Sequence, residues 1–561
     1  MKRWIVCLLT IVAGVAAKAQ NYPTGYFRSP IDTTLYLSAN FGAVRGNHFH
    51  SGIDIKTFGK EGLPVVAAAD GYIVRIKVSP FGYGRALYMN HPNGYTTVYA
   101  HLQRFSPLLD SIVRAEQYRQ KSFDVEMFPQ RALYSFKKGD TIGFSGNSGG
   151  STGPHLHFEI RDTKSEEIID PLLFGLPIQD SYSPRLAKSY LVYEIDEDFK
   201  HKNGHYPYVE VKQKTDDTVK VRPGNYAFAA WGEDFINEPN DGVHINYLDV
   251  LANGEKIFGC GIDRFAFDDT RMVNAHIEYS DYKNNSNRWH KCFVDDGNQM
   301  PFYDPLPKAA VKLSQGETKA IAIRAYDLAS FADTIKILLQ GDTNQQAFMA
   351  FFPQTKSTTY AYSSKNYTYT GSGYSFTLPK GALYDTIVVT SKITPAKRKG
   401  LYAGYISVMD ANVPLHKSFS ISITPKNTKA LDVEKLVVVR LTGKGLKYMS
   451  SEGGSYQNGT VTANSKTFGI FSVAYDDIPP VVDRFKVRDS LVSVRITDAL
   501  SGIESYNAYI DGNWWLMEYD AKDDMLYGIL PKEMTAGKHD FKLIVTDKKK
   551  NTTALLQTIE R

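Results

Sequence analysis

Cysteine is scarce: only 3 of 561 residues, none in a CxxC pair, so neither a disulfide-dense scaffold nor a thiolate metal cluster is available. Charge is sparse as well. With 22% charged residues against 43% hydrophobic, the chain has ample material for packed cores, which excludes disorder. It has no sustained heptads and, beyond its first residues, no apolar run long enough to span a bilayer. What is abundant points the other way. The 36 Tyr, 30 Phe, 43 Gly and 25 Pro tilt the class to mainly β structure with many turns, and the length predicts three or four domains.

The N-terminus reads as an export signal over residues 1–19. Lys2 and Arg3 precede an uncharged, mostly apolar run from Trp4 to Ala17, and Ala17-Lys18-Ala19 offers a small-x-small cleavage pattern before Gln20. That run is shorter than the roughly 20 residues a spanning helix needs. Cys7 lies inside it and no Cys stands at the cleavage point, so a lipid anchor is not indicated. The mature chain is expected in the periplasm or outside the cell, without a transmembrane segment. Cleavage would remove Lys2, Arg3 and Lys18, lowering the formal net charge of +5 by three; that balance gives no support to nucleic-acid binding. In an exported chain Cys260 and Cys292 are expected to pair as a disulfide.

Histidine divides the chain. Six of the 13 His fall between His48 and His157, so chemistry is expected there. This segment, residues 20–180, reads as short strands with tight turns. Hairpins are predicted at Asp70-Gly71 and at His91-Pro92-Asn93-Gly94, and His91 reads as structural. An insertion over 103–138 carries a helix from Pro107 to about Gln120, with Ser106 as N-cap and Leu108, Leu109, Ile112 and Val113 expected against the fold. Beyond Ser181, "GETKAIAIRAYDLASFADT" from Gly316 and "GKHDFKLIVTDKKKNTT" from Gly537 echo each other. They predict two related β-sandwich, immunoglobulin-like modules, at 181–342 and 476–561, separated by a β-rich module of uncertain type at 343–475.

Three motifs carry the chemistry. In "NHFHSGIDI", strand alternation puts His50, Gly52 and Asp54 on one face, and the missing side chain of Gly52 leaves room for an ion. "YAHL" places His101 at a strand end. In "GFSGNSGGSTGPHLHFEI", alternation sets His155 and His157 on one face and Leu156 and Phe158 on the other, and the glycine run lets the backbone approach a ligand or turn sharply into the strand. Two imidazoles and a carboxylate are a common ligand set for catalytic zinc, and two further His remain to handle protons.

Over residues 41–162, "FGAVRGNHFHSGIDI", "GLPVVAAADGYIV", "GYGRALYMNHPNGYTTVYAHL" and "KKGDTIGFSGNSGGSTGPHLHFEI" resemble the lysostaphin/LytM-type zinc metalloendopeptidases, which cleave peptide cross-links of peptidoglycan. The resemblance implies an antiparallel β-sheet metallopeptidase core and one Zn2+ ion. It implies His50, Asp54 and His157 as ligands, and His101 and His155 as the catalytic pair. His48 matches no ligand and is expected beside the site. The implied partner is the peptide stem of peptidoglycan. Two rivals are a non-catalytic cell-wall-binding or hydrolase-activating protein that keeps the fold, and a β-sandwich adhesin.

Overall fold

The structure is a computed structural model that describes residues 22–195, 204–213, 218–304, 309–348 and 359–561. The expected export signal at 1–19 lies outside the described residues. Among them, no helix is long and apolar enough to cross a membrane.

The N-terminal part is built from strands β1 (Leu37–Ala39), β2 (Ile53–Lys56), β3 (Pro64–Val66), β4 (Gly71–Val78), β5 (Arg85–Asn90), β6 (Tyr95–Ala100) and β7 (Arg104–Phe105). Helix α1 (Pro107–Gln120) follows, then β8 (Val125–Met127), β9 (Ser135–Phe136), β10 (Thr141–Phe144), β11 (His155–Asp162) and β12 (Ile168–Ile169). The main sheet runs β1-β2-β11-β6-β5-β4-β8, with β9 paired to β4 and β12 to β11, and a smaller sheet runs β3-β10-β7. Alternation explains the packing. On β11, Leu156, Phe158 and Ile160 enter a core with Ile53, Ile55, Ile73 and Tyr99, which leaves His155, His157 and Glu159 on the opposite face.

The hairpin expected at Asp70-Gly71 is not one. β3 belongs to the small sheet and β4 to the large one, so the pair turns a corner between sheets. There the Asp70 carboxylate accepts from Lys138 N–H at 2.8 Å and Lys137 Nζ at 2.9 Å. Strands β5 and β6 do form an antiparallel hairpin. In its turn His91 is structural, donating from Nδ1 to the Asp70 carbonyl and bonded through Nε2 to Thr97 Oγ1.

The insertion is part of the sheet rather than an appendage, since β8 and β9 both pair with β4. In α1 the buried stripe is Leu109, Val113 and Gln117. Leu108, expected inside, is 55% exposed, and Ile112 is only half-buried, because the i, i+4, i+8 row faces the core and its neighbours point outward. Ser106 occupies the N-cap but makes no capping bond; Asp110 instead accepts from the Phe105 N–H at 3.0 Å.

Downstream, one pair of five-stranded sheets spans Arg185 to Gly341, a second pair spans Tyr367 to Tyr475, and two four-stranded sheets span Val481 to Glu560. The echoed sequences are both antiparallel hairpins, Thr318–Tyr326 with Ala332–Gly341 and Lys538–Asp547 with Thr552–Glu560. The Arg185–Gly341 segment also lends a strand to the sheet of the N-terminal part and shares a core with it. Strand β12 pairs with Arg264–Phe265, and Phe41, Val44 and Phe49 pack into the downstream core. The last pair returns to the same part: Arg85 binds Glu518 at 2.6 Å, and the Tyr118 ring of α1 meets Trp514 edge-on at 5.2 Å.

The expected disulfide is absent. Cys260 and Cys292 are buried free thiols, carried by the two opposed sheets of the Arg185–Gly341 pair and packed in its apolar core. Burial pushes both thiols up, Cys292 to about 12, so they act as small hydrophobes. A thiol reagent should titrate neither in the native protein and both after denaturation without reductant; protection that persisted in denaturant until reductant was added would contradict the free-thiol state.

Candidate metal centre and active site

Strands β2 and β11 bring the site together. They pair antiparallel in a register that sets His157 opposite Asp54, while β6 on the other flank of β11 ends at Ala100, opposite His157. Residues more than a hundred positions apart thereby share one face. The imidazole Nε2 of His50, the Oδ1 of Asp54 and the Nδ1 of His157 form a triangle with sides of 3.0, 2.9 and 3.0 Å. All three residues are buried, and their donor atoms converge closely enough to hold one metal ion.

Each ligand candidate is oriented from behind. His50 donates from Nδ1 to the Asn40 carbonyl at 2.8 Å, which turns Nε2 inward. His157 donates from Nε2 to Glu159 at 2.9 Å, which turns Nδ1 inward. Such outer partners fix tautomer and ring orientation in metal sites. The second oxygen of Asp54 accepts from Arg45 at 2.6 Å.

Glu159 was not among the residues singled out from sequence. It is fully buried and also accepts from Ser51 Oγ at 2.7 Å, from the Tyr83 hydroxyl and from Arg161 Nε at 2.6 Å. Burial opposes its charge, but Arg161 and His157 outweigh that and hold the carboxyl well below its usual range. Burial likewise disfavours protonated His157, yet the hydrogen bonds to Asp54 and Glu159 prevail and raise it to about 9. A signal was present: Glu159 stands two residues beyond His157 on an alternating strand, hence on the site's face.

The remaining histidines flank the triangle. His101 follows β6 in the left-handed region at φ 58°, a strained backbone for a non-glycine residue, and donates from Nδ1 to the Ser148 carbonyl at 2.9 Å. Burial, then His157 and His155, lower its pKa to about 3. His155 donates from Nδ1 to the Gly153 carbonyl at 2.8 Å, and its Nε2 lies 3.4 Å from Asp54 Oδ1. The two rings are 4.8 Å apart between centroids, and both leave Nε2 for the cleft. His48 is exposed at the rim. The cleft holds about 780 Å³ and is bordered by Arg45, Phe58, Tyr83 and, from the downstream 3-10 turn Phe267–Met272, Phe267.

The expectation at Gly52 is not met. The space at Gly52 is not free for an ion: a Cβ there would collide with the Phe158 carbonyl and lie 3.1 Å from His157 Cε1. Gly52 therefore serves the close approach of its segment to β11. In the glycine run before His155, Gly149 closes on protein, since a Cβ there would strike Gly82 and Gly84, whereas Gly150 and Gly153 border the cleft. Gly52→Ala should accordingly push β2 away from β11 and cost metal and stability together. Elemental analysis beside a melting curve checks this, and a variant with full zinc and an unchanged melting temperature would contradict it.

Residues 48–118 match the family model described as peptidase family M23. That span takes in His50, Asp54 and His101, and the β2–β11 register adds His157 and His155. This is a peptidase M23 domain. Among curated relatives, the DD-carboxypeptidase/endopeptidase Mpg of Neisseria meningitidis serogroup B is 35% identical over 155 residues, 28% of this chain and 26% of the relative. The peptidoglycan DD-endopeptidase ShyA of Vibrio cholerae is 30% identical over 139 residues, 24% and 26% of the two chains. The chain thus spans about a quarter of the length of the curated relatives it matches. A solved structure of the catalytic domain of lysostaphin from Staphylococcus simulans is 26% identical, covering 25% of this chain and 91% of that one at a TM-score of 0.19. Residues 358–476, nearly all in the region expected as a β module of uncertain type at 343–475, match a Zu5-like domain.

Proposed function

We propose that this protein is an exported zinc endopeptidase that hydrolyses peptide cross-links of peptidoglycan, and that the M23 domain is its catalytic unit. The observation that carries this reading is the triangle of His50 Nε2, Asp54 Oδ1 and His157 Nδ1 in an open cleft, with two further imidazoles beside it. Two nitrogens and one carboxylate oxygen are a donor set suited to zinc, and three protein ligands leave a position open. When bound, zinc supplies a water of lowered pKa and polarises the scissile carbonyl.

The chain's own groups do the rest. With Nδ1 of both His101 and His155 committed to backbone carbonyls, each neutral ring presents a bare Nε2. One accepts the proton of the attacking water, and the ring so protonated becomes a donor to the oxyanion or the leaving amine; general acid–base help of this kind is worth about 10²–10⁴ in rate. Glu159 holds His157 in the required tautomer, and Arg45 fixes Asp54. The downstream β modules frame the cleft, with Phe267 at one border and Lys522 reaching the Asn147 carbonyl in the glycine-rich loop. A peptidoglycan substrate places the protein in the periplasm or at the cell wall.

Digestion of purified sacculi by the mature chain, followed by mass analysis of the fragments, tests activity and bond together. Cross-linked dimers should fall and monomers rise, with loss on chelation and recovery on zinc; a zinc-loaded, folded protein that left the fragment pattern unchanged would favour a non-catalytic wall-binding role.

A further inference from the structure

Outside the cleft the fold gathers a second set of acidic side chains. Asp180 lies in the segment leaving the M23 domain, Asp234 directly follows strand Gly224–Glu233, and Asp327 directly follows Thr318–Tyr326. One carboxylate oxygen from each comes within 4.8 Å of the others. Asp234 and Asp327 are 8% and 7% exposed, while half-buried Asp180 forms the mouth.

Proximity of acids alone would mean little, but here charge and hydrogen bonding are both unbalanced. Burial and then the neighbouring carboxylates raise Asp180 to about 6 and Asp234 to about 7, with no Lys or Arg among the acting charges. Arg185, close in sequence, is turned away: its guanidinium lies over the Phe235 ring at 4.3 Å and donates to the Pro239 carbonyl. Independently, Asp327 Oδ2 is buried and accepts no hydrogen bond, and the same is true of Asp180 Oδ1. The other Asp327 oxygen is used, accepting from the Phe331 N–H at 2.9 Å. A buried carboxylate oxygen with no donor is costly, and a cation is the group that would satisfy both oxygens and balance the three carboxylates.

The last pair of sheets holds a similar triad that the chain fills in part: Asp498 Oδ1 is buried and accepts no hydrogen bond, but its two neighbours have partners. Asp476, Asp498 and Asp547 likewise sit before one strand, directly after the strand paired with it, and at the turn of the echoed hairpin. There Asp476 accepts from the Ser501 N–H at 3.0 Å, and a nearby lysine balances the charge. Asp547 accepts from the N–H groups of Lys549 and Asn551 and from Asn551 Nδ2 at 2.8 Å, and the Lys549 ammonium acts on Asp476 and Asp547. Four residues beyond Asp327, where Asn551 would correspond, stands Phe331, whose side chain donates nothing.

We propose that Asp180, Asp234 and Asp327 bind one calcium ion. The donor set is all oxygen and carboxylate-rich, and its half-open mouth admits the waters that complete six to eight ligands; magnesium, which dehydrates reluctantly and demands octahedral geometry, fits it less well. The ion pins the segment leaving the M23 domain to the following sheets. It also anchors the start of the 234–243 loop, whose Asn237 bonds Leu37 N–H and the Leu35 carbonyl and whose Asp241 pairs with Lys56 of β2. Calcium would thereby steady the edge of the sheet that carries Asp54.

The test uses the zinc-loaded full chain, freed of calcium on a chelating resin, in thermal melts and titration calorimetry with CaCl2. Calcium should raise the melting temperature by several degrees and give binding heat, MgCl2 should do less, and both effects should vanish in Asp234→Asn and Asp327→Asn. Without calcium these variants should melt no lower than the wild type, because a repulsion has been removed. Asp180→Asn, at the open mouth, serves if a buried variant does not fold, and Asp498→Asn should keep the response. Absence of heat and shift in the wild type would overturn the proposal, as would an undiminished response in Asp180→Asn or one lost in Asp498→Asn instead.

Discussion

His157→Ala should lose both metal and activity, whereas His155→Ala should keep its metal and lose most turnover. Strand alternation sets both imidazoles on one face of β11, so position along the strand does not separate them; hydrogen bonding does. Glu159 takes the Nε2 proton of His157 and turns Nδ1 to within 2.9 Å of Asp54 Oδ1 and 3.0 Å of His50 Nε2. His155 Nε2 stands 3.4 Å from Asp54 Oδ1, outside the triangle, with Nδ1 held by Gly153. Zinc stoichiometry should fall toward zero in the first variant and stay near one in the second, whose cleavage of sacculi should drop by about 10²–10⁴. Equal metal loss in both would sink the assignment of roles.

The other large effect belongs to Glu159. Its carboxylate balances the Arg161 guanidinium, itself mostly buried, and gathers Ser51, Tyr83 and His157. Glu159→Ala leaves that guanidinium without its partner, and breaking a buried pair from one side costs about 3–5 kcal/mol. Glu159→Gln keeps the shape and loses the charge, so the fold should survive while metal affinity falls about 10–100-fold, the usual cost of losing the partner behind a ligating His. Urea unfolding of the first variant and zinc competition on the second provide the readouts. Wild-type values in either would show that the network does not hold His157.

What was legible in the sequence followed from local periodicity. Alternation alone set His155 and His157 together against Leu156 and Phe158, and a Pro-led apolar stripe marked the helix from Pro107 to Gln120. What was missed depended on partners distant along the chain. Asp70-Gly71 carries a hairpin signal, yet which sheet each flanking strand joins is decided by β10 and β5, not by the turn. Gly52 reads as empty space until β11 is laid against its segment. Glu159 and Arg161 look like surface charges on a strand, and only the covering Tyr83 and Ser51 make them a buried pair. Cys260 and Cys292 share a core without bonding, an outcome their spacing cannot express. The echoed hairpins showed a repeat, but not that Asp327 and Asp547 close similar acidic triads, with Asn551 bonded to Asp547 in one and Phe331 standing at that position in the other.

The central claim is that β2 and β11 converge on one metal centre, and anomalous scattering at the zinc edge from crystals of the zinc-loaded full chain tests it most directly. The account predicts a single strong peak in the cleft, within bonding distance of His50 Nε2, Asp54 Oδ1 and His157 Nδ1, with His101 and His155 near it but unligated. A peak coordinated by His101 or His155 in place of His157, or fully zinc-loaded protein with its ion elsewhere, would contradict it.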